Sequence, residues 1–138
     1  MENTILIQPA ELDAEARAAL APLAGAKLDT SGGLRSVDDL VRGGQLFEIS
    51  RDGVVIGRYA LRVDGWAHGR EGVILAAVGD QGEAFTERVL PLVERQFIDV
   101  QAVTVYTRRM GLVKRLARQG YGVGGFILRK PLHAGGRA

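Results

Sequence analysis

The tripeptide Arg51-Asp52-Gly53 is the feature that most constrains how this 138-residue chain can fold. It separates residues 45–50 from residues 54–63, two segments rich in β-branched and aromatic side chains. An Asp-Gly pair readily adopts the positive φ angles that a tight turn requires. The sequence therefore predicts an antiparallel β-hairpin over residues 45–63, and any fold proposed for the chain has to include it.

The residues before this hairpin predict one strand and two helices. A short strand over residues 4–8 is expected to end at Pro9, and leucine and alanine spacing predicts a helix over residues 10–23. Ser36, with an acid three residues later, has the pattern of a capping box. We expect it to begin a short helix that ends at Arg42, before a pair of glycines.

The residues after the hairpin predict alternating strands and helices, since apolar runs there are separated by glycine-rich or polar stretches. Pro91 lacks an N–H and is expected to bend or delay the helix that contains it. In chain order the expected elements are a loop at 64–70, an apolar strand at 72–78, a loop at 79–84, a helix capped by Thr86 and running through Phe97, a strand at 102–107, a helix at 109–118 that Gly120 ends, and a last strand at 121–130.

The composition excludes several classes of site. The chain has no cysteine, which rules out disulfides, thiolate metal ligands and cysteine nucleophiles. His68 and His133 have no second ligand at metal-binding spacing, so no metal site is expected. The longest apolar runs are far shorter than the roughly 18 residues of a membrane span, and no basic leader is evident, which favours a cytoplasmic protein. A net charge of +2 does not by itself indicate nucleic-acid binding.

The predicted order of elements, β-α-α-β-β-β-α-β-α-β, resembles that of the GNAT acetyltransferase superfamily. The similarity is most specific over residues 46–132, and its best matching part is the strand at 102–107 followed by GLVKRLARQGY at 111–121. It implies an α+β fold, a mixed central sheet with flanking helices, in which the strands 72–78 and 102–107 run parallel and separate around a CoA site. We expect one domain over residues 1–132 and a flexible tail over 133–138.

The resemblance also implies a cofactor, acetyl-CoA, and an activity, acyl transfer to an amine of unknown identity, either a small molecule or a protein. The family's pyrophosphate-binding loop corresponds to residues 79–84, where backbone N–H groups at a helix N-terminus hold the anion. The residues expected to contact the cofactor are Val78, Gly79, Gly82 and Ala84, together with Arg109, which aligns with the family's asparagine near the start of the following helix.

Three residues are candidates for proton transfer. Glu71 precedes the central strand, where the family often has a carboxylate that takes a proton from the amine. The family's tyrosine acid corresponds to Leu116, so that position has no phenol. Tyr106 and Tyr121 are the phenols expected near the cleft, and either is a candidate substitute.

A second hypothesis is a GNAT-shaped protein without catalysis that binds another macromolecule, for example a phage or prophage component associated with the virion or with DNA modification. Asp80 and Glu83 favour it, because they put two carboxylates into the loop expected to hold two phosphates. One side of a predicted helix is roughly shared by Arg108, Arg115 and Arg118. These arginines could contact the phosphates of CoA or of a nucleic acid, although nucleic-acid binding is not the favoured hypothesis. The oligomeric state stays open.

Overall fold

A five-stranded mixed sheet with helices on both faces forms the centre of the molecule. The computed structural model describes residues 4–25, 28–79 and 85–132, and the strands follow the order β1-β2-β3-β4-β5 across the sheet. The elements are β1 Ile5–Ala10, α1 Ala14–Leu20 with a 3-10 turn Ala21–Leu23, α2 Val37–Val41, β2 Gln45–Arg51, β3 Val54–Trp66, β4 Gly69–Gly79, α3 Phe85–Glu94, β5 Ala102–Val105 and α4 Met110–Ala117.

The predicted hairpin is confirmed. Strands β2 and β3 pair antiparallel, and Arg51 lies opposite Val54 at the turn. Asp52 and Gly53 both have positive φ, 52° and 85°, which is the conformation that the Asp-Gly pair predicts. The Ser36 capping box is confirmed too, because its side chain accepts from Asp39 N while the Asp39 carboxylate accepts from Ser36 N.

Two predicted boundaries near the N-terminus are wrong. β1 continues through Pro9, which lies opposite Phe47. A proline is tolerated there because β1 is an edge strand, where a missing N–H on the free side breaks no ladder bond. The first helix begins at Ala14 rather than Ala10, because the Asp13 side chain caps it by accepting from Ala16 N at 2.9 Å.

The loop predicted over residues 64–70 is largely strand. β3 and β4 continue their antiparallel pairing until Trp66 lies opposite Gly69. Glycine and polar residues suggested a loop, but cross-strand pairing overrides such local preferences. Similarly, Thr86 lies inside α3 instead of capping it, and β5 ends at Val105 rather than Thr107.

The last predicted strand is wrong. Residues 121–130 form neither helix nor strand, and every residue from 122 to 132 is exposed. An extended segment becomes a strand only when its backbone groups find a partner. No described strand pairs with this one, so the observed order ends with α4.

The sheet separates two apolar clusters. One face packs against α3 and α4 through Ile49, Tyr59, Ile74, Val89 and Leu116, all of them buried. The other face packs against α1 and α2, where Ala16, Leu20, Ala60 and Ala76 are buried. No helix in the described residues is long and apolar enough to cross a bilayer.

Candidate functional site

The parallel strands β4 and β5 pair along only part of their length. Their register runs from Glu71 opposite Ala102 to Ile74 opposite Val105. β4 then continues to Gly79 in its pairing with β3, whereas β5 ends. Within the described ranges, the stretch of β4 from Leu75 to Gly79 therefore has no strand partner on its β5 side. The predicted parallel pairing is confirmed, and it leaves an opening at the carboxyl ends of both strands.

A β-bulge at Leu75 marks the start of this opening. Ala60 lies opposite Ala76 and Leu61 opposite Ile74, which leaves Leu75 as an extra residue in β4. Ile74 consequently faces α3 while Ala76 faces α1, although residues two apart in a regular strand share a face. A bulge bends the strand that carries it. β4 therefore turns away from β5 at Leu75, the residue that follows their last pair.

A cavity of about 60 Å³ lies in the opening. β4 contributes Leu75, Ala76 and Ala77 to its lining, and the chain after β5 contributes Tyr106 and Thr107. Arg109 and Leu112 line it from the start of α4. The rest of the lining comes from both faces of the sheet and includes Thr30, Ile74, Val105 and leucines of the α1 and α2 side. In open α/β sheets such a position, at the carboxyl ends of diverging strands, is the usual place for a ligand. We refer to this space as the β4–β5 cleft.

A larger and more open cavity of about 380 Å³ lies elsewhere, against Gly44, Phe47 and Phe97. Its polar groups already have partners. Arg62 forms a 2.8 Å ion pair with Asp64, and the Gln96 side chain accepts from the Tyr59 hydroxyl. Counting partners among the described residues only, the β4–β5 cleft therefore offers more unpaired polar groups, and we take it as the candidate site.

Tyr106 and Arg109 are the predicted site residues that the structure brings to the cleft. Both side chains are exposed and line the cavity. Arg109 is the N-cap residue of α4, and its backbone N–H donates to Thr107 Oγ1 at 3.0 Å. This bond fixes the chain where it leaves β5 and enters α4. As a result, the Tyr106 phenol and the Arg109 guanidinium lie at the same opening.

Glu71 lies at the other end of the β4–β5 pair. Its carboxylate accepts from Trp66 Nε1 at 2.9 Å and from the Thr104 hydroxyl. Gly72 faces the α3 side, where a side chain would collide with Phe97, so Glu71 faces the α1 side by alternation. Glu71 does not line the cavity. Neither Trp66 nor Thr104 was a predicted partner, and only the pairing of β3, β4 and β5 brings them together.

Tyr121 lies on the opposite face of the sheet. It packs against the cluster of α3 and α4, and its hydroxyl donates to Glu94 Oε2 at 2.6 Å. Burial, with the Glu94 carboxylate adding to it, raises the pKa of this phenol well above its ordinary value. The structure thus separates Tyr121 from Tyr106 and Glu71, and the three candidates do not form one cluster.

The cofactor residues predicted before α3 are only partly described. Val78 is half-buried against the α1 and α2 cluster, and Gly79 is the exposed last residue of β4. Gly82 and Ala84 lie outside the described residues, as do Asp80 and Glu83. The segment that contains them connects the open end of β4 to the first residue of α3, Phe85.

The α4 helix contributes packing on one side and charge on the other. Leu116, at the position of the family's tyrosine, is 7% exposed and belongs to the core, so a leucine there stabilises the fold. Arg115 and Arg118 are exposed. Arg108, before the helix, donates to the backbone oxygen of Asp29 at 3.3 Å. No group of three or more metal-ligating side chains occurs in residues 4–25, 28–79 and 85–132.

Comparison with known proteins identifies the fold. No protein-family model and no curated protein sequence matches the chain. A GNAT family acetyltransferase from Elizabethkingia anophelis, solved with acetyl-CoA bound, superposes with a TM-score of 0.63 at 18% identity, over 88% of this chain and 78% of the other. An aminoglycoside N-acetyltransferase in complex with CoA gives a TM-score of 0.60 at 10% identity, over 97% of this chain and 98% of the other.

A third similar structure belongs to a transcriptional regulator. A transcriptional regulator from Bacillus halodurans gives a TM-score of 0.63 at 8% identity, covering 94% of this chain and 100% of the other. At identities this low, structural similarity establishes the fold, whereas the chemistry has to be argued from the site itself. With its mixed sheet, its parallel β4–β5 pair and the opening between them, the chain has the fold of the GNAT acetyltransferases.

Proposed function

We propose that this chain transfers an acyl group, in the first place acetyl, from acyl-CoA to an amine. The observation that carries the proposal is the β4–β5 cleft, which opens at the carboxyl ends of two parallel strands where the Leu75 bulge separates them. Similar folds with CoA or acetyl-CoA bound support this choice of donor.

The groups exposed in the cleft suit a CoA thioester. The edge of β4 from Leu75 to Gly79 has backbone donors and acceptors without a described strand partner, and an extended chain of amides such as the pantetheine arm can pair with them. Arg109 supplies a positive charge for a phosphate. When bound, acyl-CoA supplies an activated acyl carbonyl and a thiolate leaving group.

The backbone between β4 and α3 is proposed to hold the pyrophosphate. Gly79 ends β4, and Gly82 and Ala84 are small enough for a phosphate to approach the backbone closely. Asp80 and Glu83 add two negative charges to this part of the sequence, and like charges at a few ångströms cost on the order of 1 kcal/mol or more.

Two side chains are proposed to move protons. Tyr106, which is exposed and lines the cavity, donates a proton to the leaving thiolate. Glu71 lies outside the cavity lining, so it is proposed to accept the proton of the attacking amine through bridging water. Its bonds with Trp66 and Thr104 hold the carboxylate in one orientation. Tyr121 has no role in this scheme, because its hydroxyl is bonded to Glu94 on the other face.

Calorimetric titration with acetyl-CoA tests the proposal. We expect a Kd in the micromolar range for the unmodified chain, a free energy near −8 kcal/mol. Ala77→Trp fills the cleft and should abolish binding, whereas Val54→Trp, also at an exposed strand position but in the β2–β3 hairpin, should leave it unchanged. Binding no tighter than about millimolar, or equal binding by both variants, contradicts the proposal.

A second candidate function is binding to a polyanion without catalysis. The observation that favours it is the combination of a core leucine at position 116 with exposed Arg115 and Arg118 on the same helix. Replacing Arg108, Arg115 and Arg118 by alanine should then weaken binding of DNA or RNA at low salt and flatten its salt dependence. If neither nucleic acid binds even at low salt, this function is excluded.

A further inference from the structure

The charge of the β4–β5 cleft bears on the amine that it can accept. Among the described residues that line the cleft there is no aspartate or glutamate, and Arg109 is the charged one. An amine with several positive charges loses water on entering a cleft and needs carboxylates close by to offset that cost. The lining therefore disfavours polycationic amines.

One wall of the cleft is a loop on the α1 and α2 side of the sheet. We call residues 28–35 the rim loop, of which Leu28 and Thr30 line the cavity. Val37, just after it, packs in the cluster of α1 and α2, on the face opposite α3. Arg35, the last residue of the rim loop, is exposed. The rim loop thus adds a positive charge on the face away from α3.

Two more arginines reach the rim loop from distant parts of the chain. Nη1 of Arg108, which follows β5, donates to the backbone oxygen of Asp29 at 3.3 Å. Arg129 follows α4, and a Cβ on Gly32 would lie 2.8 Å from its side-chain Cδ. The fold therefore gathers three arginines around the rim loop, next to the cleft.

These three arginines have no counter-ion in the part of the chain that the structure describes. No ion pair there involves Arg35, Arg108 or Arg129. Other arginines do pair with aspartates: Arg17, Arg42 and Arg62. A guanidinium presents a planar fork of N–H donors that matches the oxygens of a carboxylate or a phosphate. Three such forks at one loop indicate a site for an anionic group.

The rim loop is held in one conformation by its own hydrogen bonds. The carboxylate of Asp29, a residue that is 4% exposed, accepts from the backbone N–H groups of Ser31 and Gly33 and from the Ser31 hydroxyl. The Ser31 oxygen in turn accepts from Arg35 N at 3.1 Å. A loop that is already ordered loses little conformational entropy when a ligand binds.

We propose that the acceptor is an anionic amine, whose amino group enters the β4–β5 cleft while its carboxylate or phosphate binds Arg35, Arg108 and Arg129 at the rim loop. The inference rests on the proposed acyl transfer and adds the class of acceptor. Acetyl-CoA does not need these arginines, because its pyrophosphate is proposed to bind before α3, which covers the opposite face of the sheet. In the transfer the amine nitrogen bonds to the acyl carbon as the C–S bond breaks, and the amine loses one proton while the CoA thiolate gains one.

Acetyl transfer to matched amines tests the class of acceptor. L-Glutamate is compared with L-glutamine, and O-phosphoethanolamine with ethanolamine, so that the members of each pair differ in one anionic group. We expect kcat/KM to be about 100-fold higher, or more, for the anionic member of one pair, and that pair identifies the anion as carboxylate or phosphate. Equal rates within both pairs, or a faster reaction with putrescine, would contradict the proposal.

Arginine variants test the contact itself. Arg35→Gln with Arg129→Gln should raise the KM for the preferred anionic amine about tenfold or more, since charge-assisted hydrogen bonds are lost. The KM for its uncharged counterpart and the Kd of acetyl-CoA should not change. Arg95→Gln, at an exposed arginine just after α3, is the matched control and should alter none of these values. A loss that is equal for both amines of the pair would overturn the proposal, because a charge contact discriminates between them.

Nuclear magnetic resonance of the ¹⁵N-labelled chain separates this proposal from the proposed function. L-Glutamate or O-phosphoethanolamine, added at low salt without acetyl-CoA, should shift the amides of residues 29–35 and 106–109 with a Kd of about 10 mM or less. If neither shifts them, the anion site is refuted whatever acetyl-CoA does. If they shift but acetyl-CoA does not bind, the anion site stands and the acyl transfer is refuted. A DNA duplex that shifts them when neither small anion does would assign the arginines to a polyanion and overturn the proposal.

Discussion

The hydroxyl of Tyr121 donates a 2.6 Å hydrogen bond to Oε2 of Glu94. The bond joins the turn after α4 to the last turn of α3, the two helices that cover one face of the sheet. Tyr121 therefore has a structural role, holding α3 and α4 together, and Tyr106 is the phenol that lines the β4–β5 cleft.

Tyr121→Phe should lower the free energy of unfolding by about 1 kcal/mol, because the partly buried Glu94 carboxylate loses a donor. Urea denaturation measures the change. Tyr106→Phe is the matched control, since Tyr106 is an exposed residue whose hydroxyl bonds no described residue, and it should change stability by less than about 0.5 kcal/mol. Equal effects of the two substitutions would contradict the assignment.

Stability should also fall at alkaline pH. The pKa of Tyr121 is raised in the fold by burial and Glu94, and that of Tyr59 by burial. A raised pKa means that the fold favours the protonated phenol, so its contribution is complete below the ordinary tyrosine pKa of about 10 and is lost as pH rises above it. Tyr121→Phe should therefore reduce, without abolishing, the decline in unfolding free energy measured from pH 9 to 11.

Asp29 should make the protein sensitive to acid. Its side chain is buried, and the carboxylate accepts from Ser31 N and Oγ at 2.7 Å, from Gly25 N at 2.6 Å and from Gly33 N at 3.1 Å. Burial alone raises the pKa, but these hydrogen bonds outweigh it and lower the pKa to about 2. The stabilisation is therefore present above the ordinary aspartate pKa of about 3.9 and is lost as pH falls towards 2.

Asp29→Asn should cost about 2 kcal/mol at pH 7, because an amide cannot accept all four bonds, and should flatten the acid limb of a plot of Tm against pH. Glu11→Gln, at an exposed position, should preserve both the Tm and the acid limb. An unchanged acid limb in Asp29→Asn would show that other carboxylates control acid unfolding.

Replacing each of two glycines by alanine should change the stability of the protein in opposite directions. A Cβ on Gly72 would lie 2.6 Å from Cδ1 of Phe97, so Gly72→Ala should destabilise the protein by about 1–3 kcal/mol. A Cβ on Gly111, in the first turn of α4, meets nothing within 4 Å and should add about 0.5 kcal/mol of stability. Thermal unfolding of both variants checks the signs, and a stabilising Gly72→Ala would mean that Phe97 does not pack there.

The acyl-transfer scheme predicts separate effects at Tyr106 and Glu71. Tyr106→Phe should lower kcat at least 100-fold with little change in acetyl-CoA affinity, because proton donation serves the leaving group. Glu71→Gln should lower kcat similarly, because the amide cannot accept the amine's proton. Tyr121→Phe should retain activity within about twofold. Release of CoA in the presence of an amine measures the rates, and full activity of Tyr106→Phe would exclude it as the acid.

Local chemistry was enough to predict several elements. Asp52-Gly53 and the Ser36–Asp39 capping box act within four residues, and the structure contains both as expected. Apolar runs likewise predicted β4 and β5, and the resemblance supplied their parallel direction. Such features depend on backbone preferences and short hydrogen bonds, which neighbouring residues determine.

Tertiary structure decided where the candidate site residues lie. The extra residue Leu75 is invisible in an apolar run, yet it reverses the side-chain faces of β4 and opens the cleft. Long-range pairing also turned the expected loop at 64–70 into strand and joined Glu71 to Trp66 and Thr104. Residues 121–130, in contrast, pair with no described strand. Strand propensity predicts only a capacity to pair, whereas register, bulges and the presence of a neighbour depend on residues distant in the chain.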